Sequence, residues 1–299
     1  MEKAIVILGP TSSGKSSLAI KLAEKFRGEI ISADSRQVYK GMDIGTGKVS
    51  KQEQKLVPHH LLDVASPKKQ FTVAQFTRLG KKAVSDIERR GHIPFIVGGT
   101  AFYIYSLIDE QAIPQVKPNL KLRRNLEKKS TGQLFSQLKK LDPERAKSID
   151  KNNRPRLIRA IEINIITGKT VPNSSASKNN KVLVLGIKKD QKKLYQLIDK
   201  RLAKRLKQGM VKEVQILIDQ GLSHQRLQSF GLEYRFISKF LKKELSKDQM
   251  IAQLTNEHHH YAKRQMTWFK RDKRIKWITS SSEAEILIRK YLYKKDRAN

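Results

Sequence analysis

The sequence contains no cysteine. It can therefore build no disulfide framework, thiolate zinc site or iron–sulfur cluster and offers no thiol nucleophile, and an intracellular setting is the natural expectation. Long apolar runs are missing too. The first one, Ala4 to Leu8, is too short for the core of a signal peptide or a membrane span, and no other stretch comes close, so neither is expected. Acidic residues are scarce: 28 Asp and Glu face 62 Lys and Arg in 299 residues, a formal net charge of +34. Such an excess opposes compaction by self-repulsion and attracts polyanions, with nucleic acid ahead of an anionic membrane or a merely solvated lysine face. The excess is uneven. Residues 1–110 hold 17 basic and 11 acidic side chains and residues 111–299 hold 45 and 17, so the polyanion footprint lies mainly beyond the N-terminal third.

With 38% apolar residues, the chain can build the core of one large domain or two modest ones. Ala4–Leu8 reads as a short buried strand, followed by a glycine-bearing loop and a helix over Ser17–Phe26, where Leu18, Leu22 and Phe26 recur at helical spacing. Glu29–Ala33 and Pro94–Val97 read as further strands, the second preceded by a helix over Thr72–Arg89. Strand and helix alternation predicts an α/β fold, a parallel sheet flanked by helices. Past Asp109, a connector with Pro114 and Pro118 leads into lysine-rich amphipathic helices; 172–181 reads as a loop, and Val182–Ile187 returns as a strand. The expected organisation is a core made of 1–112 and 181–299, with a helical insertion domain over 113–180. From Asp190 to about Arg271 the pattern is helical again, and a basic tail follows at Lys294-Lys295.

Gly9-Pro10-Thr11-Ser12-Ser13-Gly14-Lys15-Ser16 matches the phosphate-binding loop pattern in the strand–loop–helix setting that pattern requires. Backbone N–H groups and the helix N-terminus can enclose a di- or triphosphate, Lys15 neutralises its oxygens, and Ser16 is the expected contact of a bridging Mg²⁺. The pattern leaves open whether the polyphosphate belongs to a nucleotide such as ATP. A second block, Ser32 to Tyr39, lies at the carboxyl end of the second strand, where open α/β sheets bind ligands. Asp34 there has three readings: metal ligand, general base or helix cap. At the next strand end, Gly98-Gly99-Thr100 allows close backbone approach with a hydroxyl to offer, or makes a tight turn with a capping Thr. Between Tyr261 and Arg271, basic residues alternate with aromatics that can stack on bases, although Trp268 and Phe269 are equally at home in a core. Adjacent helical residues point about 100° apart, so His258-His259-His260 cannot readily converge on one ion and a solvated or RNA-facing surface is expected for them. A structural role is expected for His59 and His60.

Together, GPTSSGKS at 9–16, SADSRQVYKGMDIGTGK at 32–48, PHHLLD at 58–63 and VGGTAFY at 97–103 resemble the bacterial tRNA dimethylallyltransferase family, also called isopentenyl-diphosphate:tRNA isopentenyltransferases. Later blocks at Asp142–Ala146, Arg156–Glu162 and Ala262–Phe269 extend the likeness over about residues 3–277. The resemblance implies a P-loop NTPase-like core and transfer of a dimethylallyl group from its diphosphate to N6 of the adenosine just 3′ of a tRNA anticodon, assisted by Mg²⁺. It implies that Thr11 to Ser16 contact the donor phosphates, that Lys15 stabilises the departing diphosphate and that Asp34 engages the N6 amine near Thr100. Arg201 is the arginine expected to aid departure, with Arg205 one turn later as its understudy. Asp34, Ser35, Arg36, Gln37, Thr100 and Arg123 are implied tRNA contacts, while Arg156, Arg159 and the stretch Lys263, Arg264, Gln265 to Lys270 are expected to grip the anticodon arm. The expected partners are tRNA and dimethylallyl diphosphate, and the chain is expected to act as a cytoplasmic monomer. Two other classes share parts of the pattern: a kinase or NTPase uses the same loop and a nearby Asp, and an RNA-binding protein shares the charge. Family members commonly carry Gly-Tyr-Lys-Glu where this chain reads Ser229 to Arg235, and 171–181 is unusually rich in Ser, Asn and Lys.

Overall fold

The apolar runs pair into one sheet. The computed structural model describes residues 3–109, 114, 116–170 and 181–293. It opens with β1 (Ala4–Leu8), α1 (Lys15–Lys25), β2 (Gly28–Ser32), α2 (Lys51–Leu56), β3 (His59–His60), α3 (Val73–Arg89), β4 (Ile93–Gly98) and α4 (Ala101–Ile108). Four helices follow: α5 (Leu120–Glu127), α6 (Thr131–Leu141), α7 (Pro143–Ser148) and α8 (Arg154–Thr167). The rest comprises β5 (Val182–Ile187), α9 (Gln191–Lys207), α10 (Met210–Asp219), α11 (His224–Phe230), α12 (Leu232–Leu241), α13 (Lys247–Phe269), β6 (Lys276–Ile278) and α14 (Ser281–Leu292).

Among the described residues, six strands form a parallel sheet in the order β3-β2-β4-β1-β5-β6, with β1 hydrogen-bonded between β4 and β5. Strand side chains alternate between faces, and here both faces are apolar. Ala4, Val6 and Leu8 enter one core with Phe76, Ile104, Leu227 and Leu254. Ile5 and Ile7 enter the other with Leu22 and Ala23 of α1 and Ala284 and Ile288 of α14. The α/β expectation holds. β3 and β6 escape sequence reading because strands of two and three residues are too short to show a period. The expected helix after Thr72 is α3, where Thr72 and Gln75 form a reciprocal capping box.

The chain divides into two compact units, Met1–Ile108 with Asn179–Asn299, and Asp109–Lys178. The smaller unit has its own core of Leu126, Leu134, Leu138, Leu157 and Ile161. The expected junctions at 112–113 and 180, the expected loop over 172–180 and the Lys294-Lys295 tail lie outside the described residues. Among the described residues, no helix is long and apolar enough to cross a membrane.

Candidate active site

The phosphate loop joins β1 to α1 at the carboxyl edge of the sheet. Ser12 (φ 60°) and Gly14 (φ 91°) occupy left-handed backbone conformations that turn the chain back on itself. Gly14 caps α1 without a side-chain hydrogen bond, which leaves the helix's first N–H groups for a ligand. Gly9 is demanded by close approach, since a Cβ there would lie 2.9 Å from Ser13 Oγ and 3.3 Å from Ile187 Cβ. Ser13 Oγ is itself buried with no hydrogen-bond partner among the described residues, and Lys15 Nζ donates to Pro10 O at 3.3 Å.

Two arginines of α9 complete a cationic cluster around this loop. Arg201 Nη2 donates to Gly47 O at 3.3 Å, and Arg205 Nη1 donates to Gly45 O at 3.2 Å and to Glu233 Oε1 at 2.8 Å. Burial first, and then repulsion from Arg201, lowers the Lys15 ammonium to about 8. Burial and Arg205 likewise lower Arg201 to about 10. Three cations held together against their mutual repulsion make a site ready for a polyanion. They line a cleft of about 1180 Å³ with Ser12, Gly14 and Ser16.

Asp34 stands just beyond β2. Its Oδ1 accepts from Arg36 N at 2.8 Å and Gln37 N at 3.4 Å, so it caps a turn rather than the expected helix, the next helix beginning at Lys51. Among the described residues Oδ2 takes no hydrogen bond, and no cluster of three His, Asp or Glu residues there could hold a metal ion. Thr100 Oγ1 accepts from Ser35 N at 3.3 Å. A smaller cavity of about 260 Å³, lined by Thr11, Asp34, Arg205, Phe230, Tyr261 and Arg264, opens here. Burial, followed by the Asp34 carboxylate, raises the Tyr261 phenol well above its ordinary value, so it remains a neutral donor. The Ser229–Arg235 segment that departs from the family pattern contributes Phe230, Gly231, Leu232, Glu233, Tyr234 and Arg235 to this wall.

Several expected RNA contacts are placed differently. Gln37 Nε2 donates to Gly47 O at 3.3 Å while its Oε1 accepts from Ser32 Oγ at 2.9 Å. Gln265 is buried; its Oε1 accepts from Thr11 N at 2.8 Å and its Nε2 donates to Gly99 O at 2.9 Å, tying the phosphate loop to the turn before Thr100. Both amides thus bond within the chain and tie together the loops around the site. In the smaller unit, Arg123 forks onto fully buried Glu162 through Nε (2.8 Å) and Nη2 (2.7 Å), and Arg159 Nη1 reaches the same carboxylate at 2.5 Å. Both arginines thus pair with a buried carboxylate, which requires such partners. Arg156, Lys263 and Arg264 are exposed.

The three histidines diverge as helical spacing demands. His258, contrary to the surface position expected, is buried with Nε2 3.2 Å from Glu233 Oε1; His259 stacks on Tyr195 and bonds Asp199; His260 is exposed. His59 and His60 make structural contacts to Val57 O and Glu29. Phe269 is core, whereas Trp268 is exposed beside Tyr105. The sequence pattern gives Glu233 no role in the site and does not place Tyr261 or Gln265 beside the phosphate loop and Asp34. One signal was available: Leu194, Ile198, Leu202 and Arg205 form the buried stripe of α9, and Met250, Leu254, His258, Ala262, Gln265 and Phe269 that of α13. Polar residues in an apolar register mark buried polar work.

Residues 37–272 match the family model described as IPP transferase. The chain is 42% identical over 283 residues to tRNA dimethylallyltransferase 1 of Geotalea daltonii, covering 93% of this chain and 91% of that relative. It is 39% identical over 287 residues to the tRNA dimethylallyltransferase of Anoxybacillus flavithermus, covering 94% and 92%. The solved full-length tRNA isopentenylpyrophosphate transferase of Bacillus halodurans superposes with a TM-score of 0.76 at 32% identity, covering 99% of both chains. A eukaryotic dimethylallyltransferase acting on tRNA superposes with a TM-score of 0.83 at 28% identity, covering 100% of this chain and 82% of the other. The phosphate loop on an inner strand, the cationic cleft beside Asp34 and these likenesses agree: the chain belongs to the IPP transferase family.

Proposed function

We propose that the protein transfers the dimethylallyl group of dimethylallyl diphosphate to N6 of the adenosine 3′-adjacent to a tRNA anticodon, releasing diphosphate. The observation that carries this reading is the convergence of Lys15, Arg201 and Arg205 on the phosphate loop, with Arg205 also lining the cavity that holds Asp34. In the reaction the allylic C1–O bond breaks, the C1–N6 bond forms and N6 loses a proton. The purine delocalises the amine's lone pair, so loss of the proton as the bond forms helps; Asp34 Oδ2 is the acceptor, while Oδ1 keeps its backbone donors. Negative charge grows on the departing diphosphate, where Lys15, the two arginines and the N–H groups opening α1 meet it. Thr100 and Tyr261 orient the groups around Asp34.

The donor set suits Mg²⁺ held largely by diphosphate oxygens and water, with the Ser16 hydroxyl as protein contact and Ser13 Oγ seeking an acceptor in the same loop. When bound, the ion supplies further neutralisation of the diphosphate. The adenine must leave its stack, at a cost of a few kcal/mol that is smallest in a loop, and the cavity walled by Phe230 and Tyr261 receives it. Arg36, Arg156, Lys263 and Arg264 supply charge toward the anticodon arm. The proposal takes the protein to act as a monomer in the cytoplasm.

The test supplies Mg²⁺ and unmodified tRNA with either ATP or radiolabelled dimethylallyl diphosphate. Label entering tRNA, with ATP left unconsumed, is the expected result. ATP hydrolysis with label staying off tRNA would sink the reading in favour of a kinase or NTPase.

A further inference from the structure

The two anion-facing arginines bond carbonyls of one loop, Arg205 in addition to its ion pair with Glu233, and alongside the Gln37 bond to Gly47 O that loop is anchored through its backbone N–H groups by one carboxylate. Glu213 on α10 accepts from three consecutive backbone N–H groups: Asp43 N (2.8 Å) and Ile44 N (2.6 Å) at Oε2, and Gly45 N (3.0 Å) at Oε1. Tyr234 Oη donates to the same Oε1 at 2.9 Å. On its other side the loop presents the Gly45 and Gly47 carbonyls that receive Arg205 and Arg201. The fit is tight, because a Cβ at Gly47 (φ 58°) would lie 1.9 Å from Arg205 Nη2 and 2.1 Å from Arg201 Nη2. Glu213 lines neither cavity.

We propose that Glu213 is a positioning residue for the prenyl donor's diphosphate: by fixing loop 43–47 it fixes the two carbonyls that hold Arg201 and Arg205 beside Lys15. The proposal rests on the reading of the cleft as the diphosphate site. Its physical basis is simple. Two neighbouring guanidiniums repel each other and have long, rotamer-rich stems, so without fixed acceptors they separate before an anion arrives. Those acceptors are carbonyls of a short loop, and its conformation depends on a partner for three adjacent N–H groups. A carboxylate supplies that partner with charge-assisted bonds. Glutamine cannot replace it fully, because its NH₂ faces donors where an oxygen is required.

The experiment titrates inorganic pyrophosphate with Mg²⁺ into the full chain by calorimetry, alongside kcat and KM for dimethylallyl diphosphate and Kd for tRNA. Relative to wild type, E213Q is expected to bind pyrophosphate about tenfold more weakly, the scale of one hydrogen bond to a charged group. KM for the donor should rise in parallel, while tRNA Kd and the thermal unfolding transition are retained. G47A leaves Glu213 untouched but displaces the guanidiniums, and it should show the same selective loss even should E213Q prove unstable. Wild-type-like pyrophosphate binding by folded E213Q or folded G47A overturns the proposal, as does an equal loss of pyrophosphate and tRNA affinity. Absence of pyrophosphate binding by the wild-type chain overturns instead the reading of the cleft on which the proposal rests.

Discussion

Asp34 divides its work between two oxygens, and that division is testable. Oδ1 holds the backbone of Arg36 and Gln37, a task asparagine can keep, whereas only a carboxylate can take a proton at Oδ2. D34N is therefore expected to lower the single-turnover rate of label transfer about 10²–10⁴-fold while tRNA Kd, measured by filter binding, stays near wild type. Equal losses in both would make Asp34 a binding residue. Lys15 gives a pH prediction. With its ammonium lowered to about 8 by burial and Arg201, the free protein loses this cation as pH rises through 8. The ratio of pyrophosphate affinities, wild type over K15M, should then be flat below about pH 7 and fall by up to tenfold per unit above 8. The stability linkage has the opposite sense. The unfolded chain keeps the proton up to the ordinary 10.5, so between 8 and 10.5 it binds more protons than the folded chain, and Lys15 contributes stability that rises with pH across that window.

Helix α13 shows what one element can connect. Tyr261 and Arg264 line the smaller cavity, Lys263 faces solvent, and Gln265 on the buried side joins the phosphate loop to Gly99. Q265L is nearly isosteric but leaves Thr11 N and Gly99 O without their partner. About 1–3 kcal/mol for each group should appear as a lower midpoint in urea, together with a higher KM for the donor. The phosphate loop was legible because its chemistry is local: glycines, Lys15 and Ser16 work at fixed spacing between a strand and a helix. Strands of five or six residues were legible by the same logic. The roles of Gln265 and Gln37 were not, because the partner of Gln265 lies 254 residues away along the chain and that of Gln37 in a loop with no regular period. Arg123 looks like any RNA-facing arginine until the topology brings Glu162 beneath it, whereas the pairing of Arg159 with Glu162 three residues on is local to α8. Only the misplaced polar residues in the apolar stripes of α9 and α13 announced burial in advance.

At the scale of the whole molecule, +34 is not a uniform coat. Part of it is inward: Lys15, Arg201 and Arg205 serve the cleft, and Arg123 and Arg159 neutralise Glu162. Phosphate contacts of a polyanion must come from the outward remainder, and counterion release distinguishes the two populations, since each neutralised phosphate adds about 0.7–0.9 to the slope of log K against log salt. The tRNA affinity of the wild-type chain should therefore fall steeply between about 50 and 200 mM salt. The double variant K263A/R264A should reduce that slope by about 1.4–1.8, because both side chains are exposed. R123Q should leave the slope unchanged and instead lower the thermal midpoint, since it strips a partner from a fully buried carboxylate. A slope that drops for R123Q as much as for one exposed lysine would return Arg123 to the RNA surface. The charge count would then have been a better guide to the binding face than the ion pairs.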